Sequence, residues 1–173
     1  MLMVENELTD ALRAEIADAV KDLMLPTETQ GLRTPQVIDG WLPTKRSTNA
    51  EDFPFIVVRA EEATTTADKT EVTVSIIIGC YSKGIEALNT DKRPYYIMDG
   101  HKHCLNVMTR IRERLGSLYT GVLNKRYILQ PPMTWSMAAE QAYPLWQLDM
   151  VTKWVFNAPA VTFHTADFES EDF

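Results

Sequence analysis

The sequence predicts an α+β fold: a single domain in which a mostly antiparallel β-sheet is flanked by a long helix and an N-terminal helix. Three observations predict it. Thr70 to Tyr81 (TEVTVSIIIGCY) alternates Val72, Val74, Ile76, Ile78 and Cys80 against Thr73, Ser75, Ile77, Gly79 and Tyr81, which is the period of a strand. A second apolar run, Phe53 to Ala63, precedes it across the polar link Thr64 to Lys69, so the two read as an antiparallel hairpin. A stripe of apolar residues at helical spacing then follows from Ile97 to Leu118.

Taken in order, Leu8, Leu12, Ile16, Val20 and Leu23 fall on one helical face, with Asp10, Arg13, Asp18 and Lys21 opposite. This predicts a helix from Glu7 to Leu25, ended by Pro26. Pro26 to Asp52 is rich in loop residues, with a short strand expected at Gln36 to Leu42 and a polar, exposed stretch at Pro43 to Asp52. In the hairpin strand that follows, Ile76 to Ile78 is apolar on both sides, which predicts a central strand covered on both faces. Ser82 to Arg93 reads as a connection, and Pro94 suits the first position of a helix running to Leu118. Its apolar stripe is Ile97, His101, Cys104, Leu105, Met108, Ile111, Leu115 and Leu118. Its other side is basic, with Lys102, Arg110, Arg112 and Arg114, and Lys125 and Arg126 follow.

Tyr127 to Met137 and Tyr143 to Phe156 form a second β pair about Ala138 to Ala142. Pro131 and Pro132 cannot donate to a ladder, so the first of these is an edge or bulged strand. In the second, Trp146, Leu148, Met150, Trp154 and Phe156 share the inner face. The domain is expected over 1–160, and 161–173 is an acidic C-terminal arm that keeps Phe168 and Phe173.

The 173 residues suit one compact core, and a net charge of −7 argues against a dedicated nucleic-acid binder. There is no apolar run long enough to span a membrane, and MLMVENELTD has neither the basic nor the apolar region of a secretory signal, so action in the cytoplasm is expected. Cys80 and Cys104 then read as buried thiols. A metal reading on His101, His103 and Cys104 is weak, because residues two apart on a helix diverge. Neither a Gly-x-Ser-x-Gly elbow nor a phosphate-cradling glycine motif is present, and adjacent Glu61 and Glu62 on a strand point apart. No catalytic residue and no cofactor is therefore expected. The Arg110, Arg112, Arg114, Lys125 and Arg126 cluster is either a solvated face, a contact to an acidic partner surface, or a nucleic-acid patch without a stacking platform. Trp146 and Trp154 should be core, whereas Trp41 and Trp135 are interface candidates.

The order of IDGWLP (Ile38 to Pro43), EDFPFIVVR (Glu51 to Arg59), VTVSIIIGCYS (Val72 to Ser82), NVMTRIRERL (Asn106 to Leu115) and KRYIL to YPLWQLDMVTKW resembles the tail terminator, or tail-completion, neck proteins of tailed bacteriophages and prophages. The resemblance spans Val37 to Trp154 and implies a non-enzymatic α/β subunit whose β-sheet is flanked by helices. Such subunits form a ring, usually of six, that caps the tail tube and receives the head connector. The implied partners are further copies of the chain, the tail tube protein and the head–tail connector, with DNA only passing through the ring and no membrane. The implied location is the host cytoplasm during assembly and then the virion neck. A head-completion or connector protein of the same neck is the neighbouring reading, and a small nucleic-acid-binding protein the reading from another class. A ring needs two different surfaces per subunit. The basic helix face and the acidic arm are the candidates, and the interface is placed on Trp41, Lys45, Arg46, Arg110, Arg114, Trp135, Phe168 and Phe173. Charge reversal at Arg110 and Arg114 is then expected to weaken assembly.

Overall fold

A computed structural model describes residues 4–42 and 50–157. Lys45, Arg46, Phe168 and Phe173, and the acidic arm as a whole, lie outside the described residues. Helix α1 (Val4–Val20) buries Leu8, Leu12, Ile16 and Val20. It stops five residues earlier than the sequence predicts. Leu25 precedes a proline, which disfavours helix there, and it pairs instead as β1 (Leu25–Pro26) with β2 (Leu32–Arg33). Its side chain is buried in the core.

The main sheet has six strands among the described residues, in the order β3-β4-β5-β10-β9-β8. These are β3 (Gln36–Asp39), β4 (Phe55–Thr65), β5 (Lys69–Tyr81), β8 (Val122–Leu123), β9 (Tyr127–Ser136) and β10 (Leu145–Asn157). Every neighbouring pair is antiparallel except β3 and β4, so the architecture is α+β with a mostly antiparallel sheet. The β4–β5 hairpin and the central place of β5 match the alternation in the sequence, and Glu61 is an extra residue in a bulge between Ala60 and Glu62. The ladder of β9 and β10 slips between Val151 and Lys153, where Pro131 and Pro132 lie opposite. β8 pairs with only Tyr127 and Ile128 of β9, so among the described residues most of that strand is a free edge.

Both helices pack on one face of the sheet, over Val72, Val74, Ile76, Ile78, Leu148, Met150 and Trp154. Among the described residues the other face is covered at one end alone, by a small cluster of Phe53, Phe55, Val57 and Tyr81 with Ile77 and Leu145 against it. The expected cover on both faces of β5 is thus complete on one side and partial on the other. Trp154 is fully buried as predicted, while Trp146 is only half-buried at the margin of the core.

The largest departure lies between Ser82 and Asp99. The predicted connection and first helical turn are a second hairpin, β6 (Ile85–Leu88) paired with β7 (Pro94–Ile97). Helix α2 (Gly100–Gly116) begins six residues after Pro94. Tyr95, Tyr96 and Ile97 favour a strand, and Asn89 closes the turn by accepting at Oδ1 from the Asp91 and Arg93 amides (3.0 and 2.7 Å). Asp99 stands just before α2 without a side-chain cap bond to it, and Cys104, Val107, Met108, Ile111 and Leu115 are the buried side of the helix. Leu118 lies beyond its end.

Candidate interaction surfaces

The β6–β7 hairpin is an arm. Two strands of four residues cannot bury much between themselves, and such a ribbon is marginal alone in water. No other helix or strand among the described residues packs extensively on it. In its register Ile85 faces Ile97 and Ala87 faces Tyr95 on one side, while Glu86 faces Tyr96 and Leu88 faces Pro94 on the other. Ile85, Leu88, Tyr95, Tyr96, Ile97 and Met98 are each between 45% and 64% exposed. Large apolar side chains gathered on one small element are the mark of an interaction surface. This arm is the main feature that the sequence reading missed. The available signal was Asn-Thr-Asp-Lys-Arg between two four-residue stretches with β-forming residues.

Of the predicted interface residues, Trp41 is 69% exposed just past β3. The Arg59 guanidinium stacks over its ring at 5.1 Å and donates to Glu61 Oε1 from Nε (2.8 Å) and Nη2 (2.6 Å). That gives an ordered aromatic–cation–anion ladder near the sheet's less covered face. Trp135 is half-exposed on the free edge of β9, next to Met150 in the ladder.

The basic cluster does not survive as one surface. Arg114 turns toward α1, with Nε 2.6 Å from Glu15 Oε2 and Nη2 3.1 Å from Asp18 Oδ2. Arg126 lies 3.5 Å from Glu7 and over the rings of Tyr127 and Phe156. Arg110 is exposed on α2, so the two arginines expected to act together face different surroundings. The nucleic-acid patch thereby has two of its cations engaged within the subunit.

Where α2 begins, Ser82 Oγ donates to Asp99 Oδ1 at 2.5 Å, and His103 Nε2 lies 3.5 Å from Asp99 Oδ2. Serine, aspartate and histidine are together here, but the carboxylate sits between the other two. A nucleophile needs the imidazole beside it as base, so this order activates no hydroxyl, and it ties Asp99 to Ser82 just past β5. His101 instead packs its ring against Trp146, at 6.1 Å. No group of three or more His, Cys, Asp or Glu that could hold a metal ion occurs among the described residues. Cys80 and Cys104 are both buried, free thiols. No helix among the described residues is long and apolar enough to cross a membrane.

Two surface clefts border these features. One of about 290 Å³ lies beside Trp146, Gln141 and Phe53. Another, of about 500 Å³, lies at the far end of the sheet between Val122, Ile128 and Val155, with Lys125 and Arg126 on its rim. Compared with protein-family models and with curated proteins, the chain matches none.

Proposed function

We propose that the protein is a structural subunit that assembles with its own copies into a ring, caps the tail tube of a tailed bacteriophage and joins it to the head connector. The observation that supports this most is the β6–β7 arm, which displays half-exposed apolar side chains on both faces and on which no other helix or strand among the described residues packs extensively. Such a surface suits permanent association, where apolar area is removed from water at roughly 25 cal/mol per Å². The order of sequence motifs from Val37 to Trp154 gives the association its setting, the neck of a phage. In this reading the protein is not an enzyme, needs no cofactor, and contacts DNA only as it passes through the ring. Assembly takes place in the host cytoplasm and ends in the virion.

Light scattering with negative-stain images of the same sample tests it, followed by incubation with purified tail tubes. A closed ring of about six subunits, alone or at the tube end, is the expected result. A chain that stays monomeric in both settings would overturn the reading. Binding to the head connector and not to tubes would move the protein to the head side of the neck.

A further inference from the structure

The arm leaves the body after Ser82, at the end of the sheet where Tyr81 of β5 pairs with Leu145 of β10. The cleft between Val122, Ile128 and Val155 lies at the opposite end, near where Asn157 pairs with Lys69. β5 and β10 are 13 residues each, so at about 3.3 Å per residue the two ends are roughly 40 Å apart. The arm strands have four residues, or about 13 Å. An arm of that length does not reach the cleft of its own subunit.

Val122, Ile128 and Val155 are opposite one another on three neighbouring strands, so they form one apolar row across the sheet. Lys125 flanks that row, while the Arg126 guanidinium beside it is held by Glu7. One face of the arm carries Leu88 and Tyr96 with Glu86 directly opposite Tyr96. Apolar meets apolar, and a carboxylate meets a cation. We infer that the arm of one copy seats this face in the Val122–Ile128–Val155 cleft of the next, with Glu86 against Lys125. The inference rests on the ring reading and deepens it. Two different surfaces at opposite ends of a subunit make a head-to-tail contact, and a contact of that kind builds a ring where its rotation closes. Occupation by a second copy also explains why the arm projects from the body.

Cysteine pairing tests the contact, because the native Cys80 and Cys104 are buried. Tyr96→Cys and Ile128→Cys proteins are prepared separately, checked for native circular dichroism, and oxidised alone and mixed. A crosslinked dimer in the mixture alone, and a ladder up to ring size in the double variant, are the expected results. Crosslinking of Tyr96→Cys with itself would mean an arm-to-arm contact and would overturn the inference. An assembly seen by light scattering that yields no mixed crosslink would overturn it as well, while leaving the ring reading intact. Absence of any assembly, with or without tubes, would remove both. Glu86→Lys should weaken assembly about tenfold, and Lys125→Glu in the neighbouring copy should restore it. Equal assembly by all charge variants would count against this face of the arm.

Discussion

Arg114 on α2 donates from Nε to Glu15 Oε2 on α1 at 2.6 Å, and its Nη2 lies 3.1 Å from Asp18. One guanidinium thus ties the two helices to each other, on the side away from the sheet. The residue serves the fold of the subunit, as a tie between its two helices. Arg114→Ala should lower Tm slightly and leave assembly unchanged, whereas a partner contact would do the reverse. The acid limb of stability gives a second readout. The Asp18 carboxyl is held below its ordinary value of 3.8, first by the hydrogen bond and charge of Lys21 and then by Arg114. A lowered carboxylate stabilises the folded state above its unfolded value, and that contribution fades as pH falls below about 4 toward the lowered value. Thermal melts from pH 7 to 3 should therefore lose less on acidification in Arg114→Ala than in the parent.

Trp146 lies flat against Gly100, so close that a methyl group on Gly100 would fall within the indole ring. The same indole donates from Nε1 to the Ser82 carbonyl at 3.1 Å, at the base of the arm. Gly100→Ala must push the ring outward and should cost about 1–3 kcal/mol by overpacking. For a chain of this size that is a fall in Tm of several degrees. Gly116, at the other end of the same helix, has open space where its Cβ would stand. Gly116→Ala should be neutral or stabilising by up to ~1 kcal/mol. Urea midpoints and tryptophan fluorescence of the two proteins make the comparison, and equal destabilisation by both would contradict it.

The parts of this fold that are legible in the sequence are those whose burial imposes a period. β5 and β10 each bury alternate residues under two helices, so Val72 to Cys80 and Leu148 to Phe156 carry the pattern openly. The buried side of α2 is equally plain from Cys104 to Leu115. Its start is not, because Ile97 happens to continue the helical phase backwards through Asp99, and Pro94 suits a helix start as well as a strand. The arm is hidden for the opposite reason. Among the described residues no other element packs extensively on either of its faces, so no burial there forces its residues to alternate. The engagement of Arg114 is also invisible locally, since Glu15 lies 99 residues away in sequence. Trp41 was legible as exposed, but its stacking partner Arg59 comes from another strand.

Thr152 is a polar residue fully buried in β10. Its Oγ1 donates to the Val74 carbonyl at 3.3 Å and accepts from Trp154 Nε1 at 2.9 Å. The hydroxyl is thus the partner that lets a tryptophan N–H sit in an apolar core. Thr152→Val keeps the shape and adds apolar surface, yet strands that N–H without water. The expected cost is about 1–3 kcal/mol. Chemical denaturation should show a lower midpoint with an unchanged slope, and a stabilised variant would mean that the indole finds another acceptor.

Tyr127 is buried, with its hydroxyl donating to the Val4 carbonyl at 3.0 Å. Burial, with the Glu7 charge adding to it, pushes its pKa up to about 12. A raised phenol favours the folded state below the unfolded value of 10.0, and this contribution is lost as pH rises from there toward 12. Alkaline titration followed by phenolate absorbance should show one tyrosine ionising late, together with unfolding. In Tyr127→Phe that late step should vanish, and the freed Val4 carbonyl should let the start of α1 fray, visible as faster amide exchange there.

Cys80 and Cys104 face each other between β5 and α2. The Cys80 thiol is raised well above its ordinary value, first by its hydrogen bond with the Cys104 thiol and then by burial. A thiol kept protonated and out of water is a poor nucleophile, because the thiolate is the reacting form. Alkylation by iodoacetamide at pH 8 should therefore leave both cysteines untouched in the folded protein and modify both once urea unfolds it. Since both sit in the main core, their labelling rate should follow global unfolding, and its logarithm should rise in Gly100→Ala and Thr152→Val in proportion to the stability each loses. Rapid labelling of the native protein would instead mean that α2 lifts from the sheet without the rest of the fold, and would make that helix the mobile element of the subunit.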